Sequence, residues 1–430
     1  MSDGKSNMKK NVILLSMDEV RPDHLSCYGY DRIRTPNIDS LIEDGVQIEQ
    51  CIAASSFTAV CMSSVITASY PYRHTVRDAF QVLQGTTAAE VFKEHGYKTA
   101  GFVGVSVLGS GHGFQRGFDL FDEPNENSYG LWQKNRLEGG DELFFVGNWW
   151  VDRFFDWLDE NKSGPFFAWG HYLETHDVAE RFLLQEGMIK EGELSEFAYY
   201  DAKIRLFDDV VVGRLLKFLR ENDLYENTSI VLMADHGCNL GEHPIEFLPH
   251  NPDRRYPQHS CAWDCEVKVP LIFHDVALPA GSIVRGAARA IDIVPTAISL
   301  ADISPQSYEF EGVDLLAEIK DGRLQDREAY IENLTEMMRP GAYQAWRSSR
   351  YKYIRNVTTG REEYYDLEFD PLEQNNIIDT IRSYDPTELR RVRLALNDRL
   401  WRYKPNEYKS FSDQEQSKIT ERLRGLGYIE

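Results

Sequence analysis

Unbroken apolar runs recur along the first three-quarters of the chain. NVILLSM (residues 11–17), PFFAWGHYL (165–173), TSIVLMA (228–234) and VPLIFHDV (269–276) lack the strict alternation of half-exposed strands. Runs of this kind are the pattern of strands buried on both faces of a parallel sheet. Between them PNIDSLIEDGV predicts a helix closed by Gly45, and AAEVFKEHGYKTAGFVGV a helix, a glycine turn and a strand. YYDAKIRLFDDVVVGRLLKFLRENDL carries apolar residues at helical spacing and predicts a long helix. The alternation of helices with apolar strands from about residue 9 to 320 predicts an α/β sandwich around a largely parallel sheet.

The pattern changes after about residue 325. AYIEN, AYQAWRSSRYKYIRN and EEYYDLEFDP are short, aromatic, alternating and punctuated by turns, which predicts a small antiparallel sheet. TELRRVRLALNDRLWRYKP predicts a terminal amphipathic helix. The chain therefore divides into an α/β unit (9–322), a small C-terminal sheet (323–380) and a helical extension (381–430).

Composition narrows the function. Lys and Arg number 47 against 69 Asp and Glu, a net charge of −22, which argues against a nucleic-acid or anionic-membrane surface. A small anionic substrate remains compatible if metals or local bases neutralise it in a pocket. The N-terminal MSDGKSNMKKNVILLSMDEV is too short in its apolar run for an export signal, and no later run is long enough to span a bilayer. The six cysteines (27, 51, 61, 238, 261, 265) show no framework spacing and are expected to be reduced thiols of a cytoplasmic protein. Composition leaves a homo-oligomer open.

Two of the buried strands end in acids. NVILLSM runs into Asp18-Glu19, and SIVLMA into Asp235-His236-Gly237. Ligands of open α/β sheets bind at the carboxyl ends of the strands, so both pairs are expected in one crevice. Carboxylates with imidazole suit Mn²⁺, Zn²⁺, Mg²⁺ or Ca²⁺ rather than a soft thiolate metal. SSFTAVCMSSVITASYP (55–71) offers Thr58, Cys61, Ser63 and Ser64 as nucleophiles, and the residues alone do not choose among them. HSCAWDC (259–265) has an H-x-C-x₃-C spacing that a zinc ion could use, a weaker candidate.

A family pattern makes the choice. NVILLSMDEVRPDHLSCYGYDRIRTPNIDSLIEDGV, SSVITASYPYRHTV, FQRGFDLF, HYLETH, VLMADHGCNLGEH, EVKVPLIF, RYKYIRN and EEYYDLEFDPLEQNNI stand in one order from about residue 9 to 380. In that order they resemble the sulfatase family of the alkaline phosphatase superfamily. The resemblance implies an alkaline-phosphatase-like α/β sandwich and a metal-dependent ester hydrolase. The family's nucleophile motif is Cys (or Ser)-x-Pro-Ser-Arg, four residues, then Thr-Gly. With Thr67-Ala68 on the Thr-Gly, Thr58 falls on the nucleophile, Cys61 on the motif's Ser and Met62 on its Arg. The family oxidises its Cys or Ser to formylglycine, an aldehyde; the extra methyl of threonine would give a ketone. The pattern therefore resembles superfamily branches with a threonine nucleophile, among them nucleotide phosphodiesterases and phosphoethanolamine transferases, in which a metal-bound hydroxyl attacks phosphorus.

The same resemblance implies Asp18, Glu19, Thr58, Asp235 and His236 as the metal set, with His236 where calcium-type members have Asn. Imidazole in place of an amide oxygen favours Mn²⁺ or Zn²⁺ over Ca²⁺ or Mg²⁺. The family's Gly-Lys-x-His becomes Gly104-Val105-Ser106-Val107, its later lysine falls on His259, and the His of its Asp-Pro-His is His176. His176 and His259 are thus implied to contact the non-bridging oxygens or to protonate the leaving group. His74, His171 and His243 lie in matching segments and are candidates for a second metal; Arg73 and Arg347 are candidates to meet substrate anions. The expectation is a hydrolase of phosphate or phosphonate esters acting through Thr58. Sulfuric ester hydrolysis or phospho-group transfer is the alternative, and a non-catalytic binding protein the third reading.

Overall fold

The computed structural model describes residues 9–124, 146–176, 183–184, 187–190, 195–243, 261–334 and 342–402, with scattered positions between 411 and 420. The larger sheet contains β1 (Asn11–Met17), β2 (Gly45–Ile52), β3 (Lys98–Val103), β4 (Leu120–Asp122), β5 (Phe166–Tyr172), β6 (Thr228–Ala234), β7 (Lys268–Val269), β8 (Leu271–His274) and β9 (Ser282–Arg289). Their order is β4-β3-β5-β1-β6-β8-β2-β7, with β9 paired to β2. The half from β4 to β6 is parallel throughout, whereas β8 runs antiparallel to both β6 and β2.

β1 lies at the centre, buried along its whole length between β5 and β6. Its register sets Met17 beside Tyr172 on one neighbour and Ala234 on the other. The ladder continues one step further, since Asp18 N–H donates to Tyr172 O (3.1 Å) and Asp235 N–H to Met17 O (3.1 Å). Asp18 and Asp235 therefore leave adjacent strand ends side by side, at the carboxyl edge where parallel sheets hold their ligands.

The helices are α1 (Pro36–Glu43), α2 (Thr58–Thr67), α3 (Ala88–Glu94), α4 (Val146–Asn161), α5 (Glu196–Phe207), α6 (Arg214–Glu221) and α7 (Ile293–Leu300) of the larger unit, and α8 (Pro386–Arg402), which packs with the small sheet. The long helix expected over 199–224 forms as α5 and α6, joined by a π-helical turn at Asp208–Gly213. Asp208 uses this wider turn to accept from the amides of Ile38 (2.7 Å) and Asn37 (3.2 Å), capping the start of α1 from outside. α1 ends at Glu43, so Gly45 does not close it. Gly45 opens β2 instead, where a Cβ would meet Phe273 O at 2.4 Å and Leu41 O at 2.6 Å. Pro270 divides VPLIFHDV into β7 and β8, because proline has no amide for the ladder.

The separate sheet of β10 (Ala329–Asn333), β11 (Tyr343–Arg347), β12 (Tyr351–Asn356) and β13 (Glu362–Asp366) is antiparallel in chain order. Its tyrosines 330, 353 and 364 share an apolar cluster with Tyr70, Tyr72 and Leu389, Val392 and Leu396 of α8. A buried ionic cluster ties it to the larger unit. Asp264 binds Arg347 (2.8 Å) and Lys352 (2.8 Å), and Lys352 also reaches Glu373 (2.9 Å). Among the described residues no helix is long and apolar enough to cross a membrane.

Candidate active site

The turn after β1 is held in an unusual conformation. Glu19 has φ 59°, the left-handed region, which costs a non-glycine residue about 1–3 kcal/mol unless its surroundings impose it. They do so here on both sides of the residue. Glu19 N–H donates to Asp235 Oδ1 (3.1 Å), and Tyr200 of α5 donates its hydroxyl to Glu19 O (2.5 Å) while accepting from Arg21 N–H (2.9 Å). Asp235 Oδ1 also accepts His236 N–H (2.7 Å). One oxygen of Asp235 is thus committed to backbone; its Oδ2 and both oxygens of Asp18 are buried and accept no hydrogen bond.

His236 completes the group. Its Nδ1 lies 2.9 Å from Gly237 O, which can only accept, so Nδ1 carries a proton and Nε2 is the nitrogen turned to the acids. That nitrogen is 3.5 Å from Asp235 Oδ2, 3.9 Å from Asp18 Oδ1 and 3.3 Å from Thr58 Oγ1. Ligand atoms of Asp18, Asp235 and His236 all lie within 4.8 Å of one another, and all three residues are buried. Converging acceptors without a donor are costly in a protein interior unless a proton or cation joins them. Hard oxygens with one imidazole nitrogen fit a divalent cation. Burial, with the charge of Glu19, pushes Asp18 up to about 7 against the opposing fields of His236 and Lys203. Asp235 is raised by burial and by Asp18. A bound cation would reverse both displacements.

Thr58 is the first helical residue of α2, and its buried hydroxyl faces His236. Cys61 instead donates its thiol to Ser55 O (2.9 Å), and burial pushes that thiol well above its ordinary value. Ser64 is bonded to Val60 O and His74. Glu19 lies outside the three-residue group; its carboxylate is 3.5 Å from His176 Nε2 instead. His176 thus stands beside the group with 17% of its side chain exposed, and its carbonyl accepts from the Lys203 ammonium (2.7 Å). His259 lies outside the described residues.

The other candidates separate cleanly. His171 is fully buried with Nε2 3.4 Å from Asp18 Oδ2, and burial lowers its pKa to about 4. His74 has both nitrogens engaged, Nδ1 by Val76 N–H and Nε2 by Ser64, which leaves none for a metal. His243 stacks on Trp263 at 4.2 Å. Arg347 is consumed by Asp264, and Arg73 pairs with Glu309 at the surface. Among the described residues Cys261 and Cys265 join no metal-sized group. Sequence reasoning missed Tyr200 and Lys203, whose polar ends reach the site from α5. Their i, i+3 spacing on the inward face of an amphipathic helix was the available signal.

Known proteins share this arrangement of the chain. The family profile described as Sulfatase matches residues 10–303. An ulvan-active sulfatase of Formosa agariphila is 23% identical over 407 residues, covering 86% of this chain and 77% of its own. A structure solved in complex with its substrate D-glucosamine-2-N,6-O-disulfate superposes with TM-score 0.74 at 17% identity, over 93% of this chain and 99% of that one. The phosphonate monoester hydrolase of Agrobacterium radiobacter follows at TM-score 0.69 and 20% identity, over 91% and 95%. With the profile spanning well over half its length, the chain belongs to the sulfatase family and is a hydrolase of that fold.

Proposed function

We propose that the protein is a metal-dependent hydrolase of phosphoric or phosphonic esters with Thr58 as nucleophile. The observation that supports this reading most is the hydroxyl of Thr58 at the start of α2, 3.3 Å from His236 Nε2 and facing the buried acids. Asp18, Asp235 and His236 would hold the cation, with Glu19 as a further carboxylate. When bound, it would neutralise the ester's anionic oxygens and lower the pKa of the adjacent hydroxyl. The imidazole favours Mn²⁺ or Zn²⁺ over Ca²⁺.

The remaining work falls to the chain itself. The Gly237 carbonyl accepts the Nδ1 proton of His236, so that Nε2 is the nitrogen free to ligate, and Asp235 Oδ1 holds the backbone amides of Glu19 and His236. With its proton passed to solvent water, Thr58 Oγ1 attacks phosphorus, the bond from phosphorus to the leaving ester oxygen breaks, and a covalent ester of Thr58 forms as the alkoxide departs. His176 is the group to deliver a proton to that alkoxide, being beside Glu19 and the more exposed of the described histidines near the site. Water then hydrolyses the Thr58 ester.

Sulfuric ester hydrolysis is a second reading, and the family supports it strongly. The profile and the curated relatives are those of sulfatases. Against it stands the nucleophile position itself, because threonine cannot become the aldehyde. A rate comparison among an aryl phosphodiester, an aryl phosphonate monoester and an aryl sulfate, run on wild type and Thr58→Ala, decides between them. Our reading expects phosphorus esters to be preferred and Thr58→Ala to be inactive. A preference for aryl sulfate would favour the second reading, and an active Thr58→Ala would remove Thr58 from both.

A further inference from the structure

A chain of buried polar groups ends at Asp18 Oδ2. Trp169 Nε1–H donates to Ser16 Oγ (3.1 Å), Ser16 Oγ is 2.9 Å from His171 Nδ1, and His171 Nε2 is 3.4 Å from Asp18 Oδ2. Ser16, Trp169, His171 and Asp18 are all fully buried. The arrangement follows from the register of β1 and β5, which sets Leu14 opposite Trp169 and Ser16 opposite His171.

The hydrogen-bond distances favour one arrangement of the protons. The indole can only donate, so it occupies a lone pair of Ser16 Oγ. The single Ser16 proton then has two acceptors, His171 Nδ1 at 2.9 Å or Gly170 O at 3.4 Å, and the shorter contact lies within normal hydrogen-bond range while the longer does not. With Nδ1 accepting, the imidazole proton resides on Nε2 and points at Asp18 Oδ2. That separation is long for a hydrogen bond, yet neither atom has a hydrogen-bond partner elsewhere. The opposite tautomer would set a bare nitrogen lone pair against a carboxylate oxygen inside the protein. The arrangement engages Oδ2 and leaves Oδ1 turned toward His236.

We propose that Ser16 and His171 are positioning residues for Asp18: Ser16 selects the Nε2–H tautomer of His171, and His171 orients the Asp18 carboxylate toward the metal. This inference rests on the reading of Asp18 as a metal ligand. Partners that hydrogen-bond a ligating carboxylate typically contribute ~10–100-fold to metal affinity.

The test uses full-length wild type, His171→Gln, His171→Leu and Ser16→Ala, stripped with a chelator. Each is titrated with Co²⁺ against a competing chelator while its visible absorption is followed. Gln carries an amide N–H to nearly the reach of Nε2, so His171→Gln should bind Co²⁺ about as tightly as wild type with the same spectrum. His171→Leu should bind ~10–100-fold more weakly, and Ser16→Ala about 10-fold more weakly. A purely structural role would lower the melting temperature of these variants without moving Co²⁺ affinity, and that result would overturn the proposal. So would a His171→Gln protein as weak as His171→Leu with an altered spectrum, since His171 would then be a ligand itself. Should His171→Leu fail to fold, the contrast between Ser16→Ala and His171→Gln carries the test. Wild type that binds no Co²⁺ would overturn the metal reading of Asp18, and the relay with it, a result distinct from variants that bind like a competent wild type.

Discussion

Two buried ionic groups in this protein are built from similar residues and differ in how many cations face their carboxylates, although burial raises Glu373 in one as it raises Asp18 in the other. At the junction with the small sheet, Asp264 and Glu373 face Arg347 and Lys352, so two carboxylates meet two cations. There the Arg347 and Lys352 charges overcome burial and hold Asp264 well below the usual carboxylate range. At the carboxyl ends of β1 and β6, Asp18 and Asp235 converge on His236, and burial raises both. The fields of His236 and Lys203 oppose burial at Asp18 without overcoming it, and the Lys203 ammonium is hydrogen-bonded to the His176 carbonyl. One group closes on itself and holds two units together; the other is left short of positive charge. A deficit of charge in a buried, over-determined turn is what a cation-dependent site requires.

The largest effect expected from this contrast is on catalysis. Stripping divalent metal should lower turnover by ~10³-fold or more, the several kcal/mol a cation contributes to transition-state charge. Mn²⁺ or Zn²⁺ should restore it better than Ca²⁺, with an optimum above about pH 7 because neutral imidazole is the binding form. Recovery by Ca²⁺ alone, or an acid optimum, would assign the site to a different metal chemistry. The junction should be indifferent to the same treatment.

The next effects have opposite signs for one operation, the removal of a buried charge. Lys352→Met leaves Asp264 and Glu373 short of a cation and should cost ~3–5 kcal/mol in denaturant unfolding. Asp18→Asn should stabilise the metal-free protein at pH 8. A carboxyl whose folded pKa is raised, here to about 7, contributes stability that is full below its unfolded value of 3.8 and is lost as pH rises through about 7. Metal-free wild type should therefore lose up to ~4 kcal/mol of this contribution between acid and pH 8, at 1.36 kcal/mol per tenfold change in proton affinity. Asp18→Asn should flatten that slope. Equal slopes in the two proteins would show that Asp18 is not the strained carboxyl.

The smallest effect concerns the turn that carries Glu19. Tyr200→Phe removes one hydroxyl that donates to the Glu19 carbonyl and accepts from Arg21. It should cost ~1–3 kcal/mol by leaving buried backbone groups unsatisfied. Thermal denaturation that does not distinguish this variant from wild type would locate the restraint on Glu19 elsewhere.

What could be read from the sequence follows the same physics. β1, β5 and β6 are central strands buried on both faces, so composition alone marks them, and the acids that end β1 and β6 stand out against apolar runs. The separation of the small sheet was legible for the opposite reason, its short alternating aromatic strands. β2 and β9 were not anticipated, because their burial is interrupted at Glu49 and at Ile283 and Arg285, and their pairing joins distant segments. Thr58 was placed by a family motif rather than by its own chemistry. The hydrogen-bonded chain from Ser16 to His171 was invisible, since it exists only through the register of two strands more than 150 residues apart in sequence.

The central claim is that the Asp18–Asp235–His236 group is a cation site with Thr58 at its edge. It is tested most directly by soaking crystals of the protein in Mn²⁺ and collecting data at the manganese absorption edge. The account predicts one anomalous peak within bonding distance of an Asp18 oxygen, Asp235 Oδ2 and His236 Nε2. A manganese-saturated crystal with no peak between those atoms would contradict it.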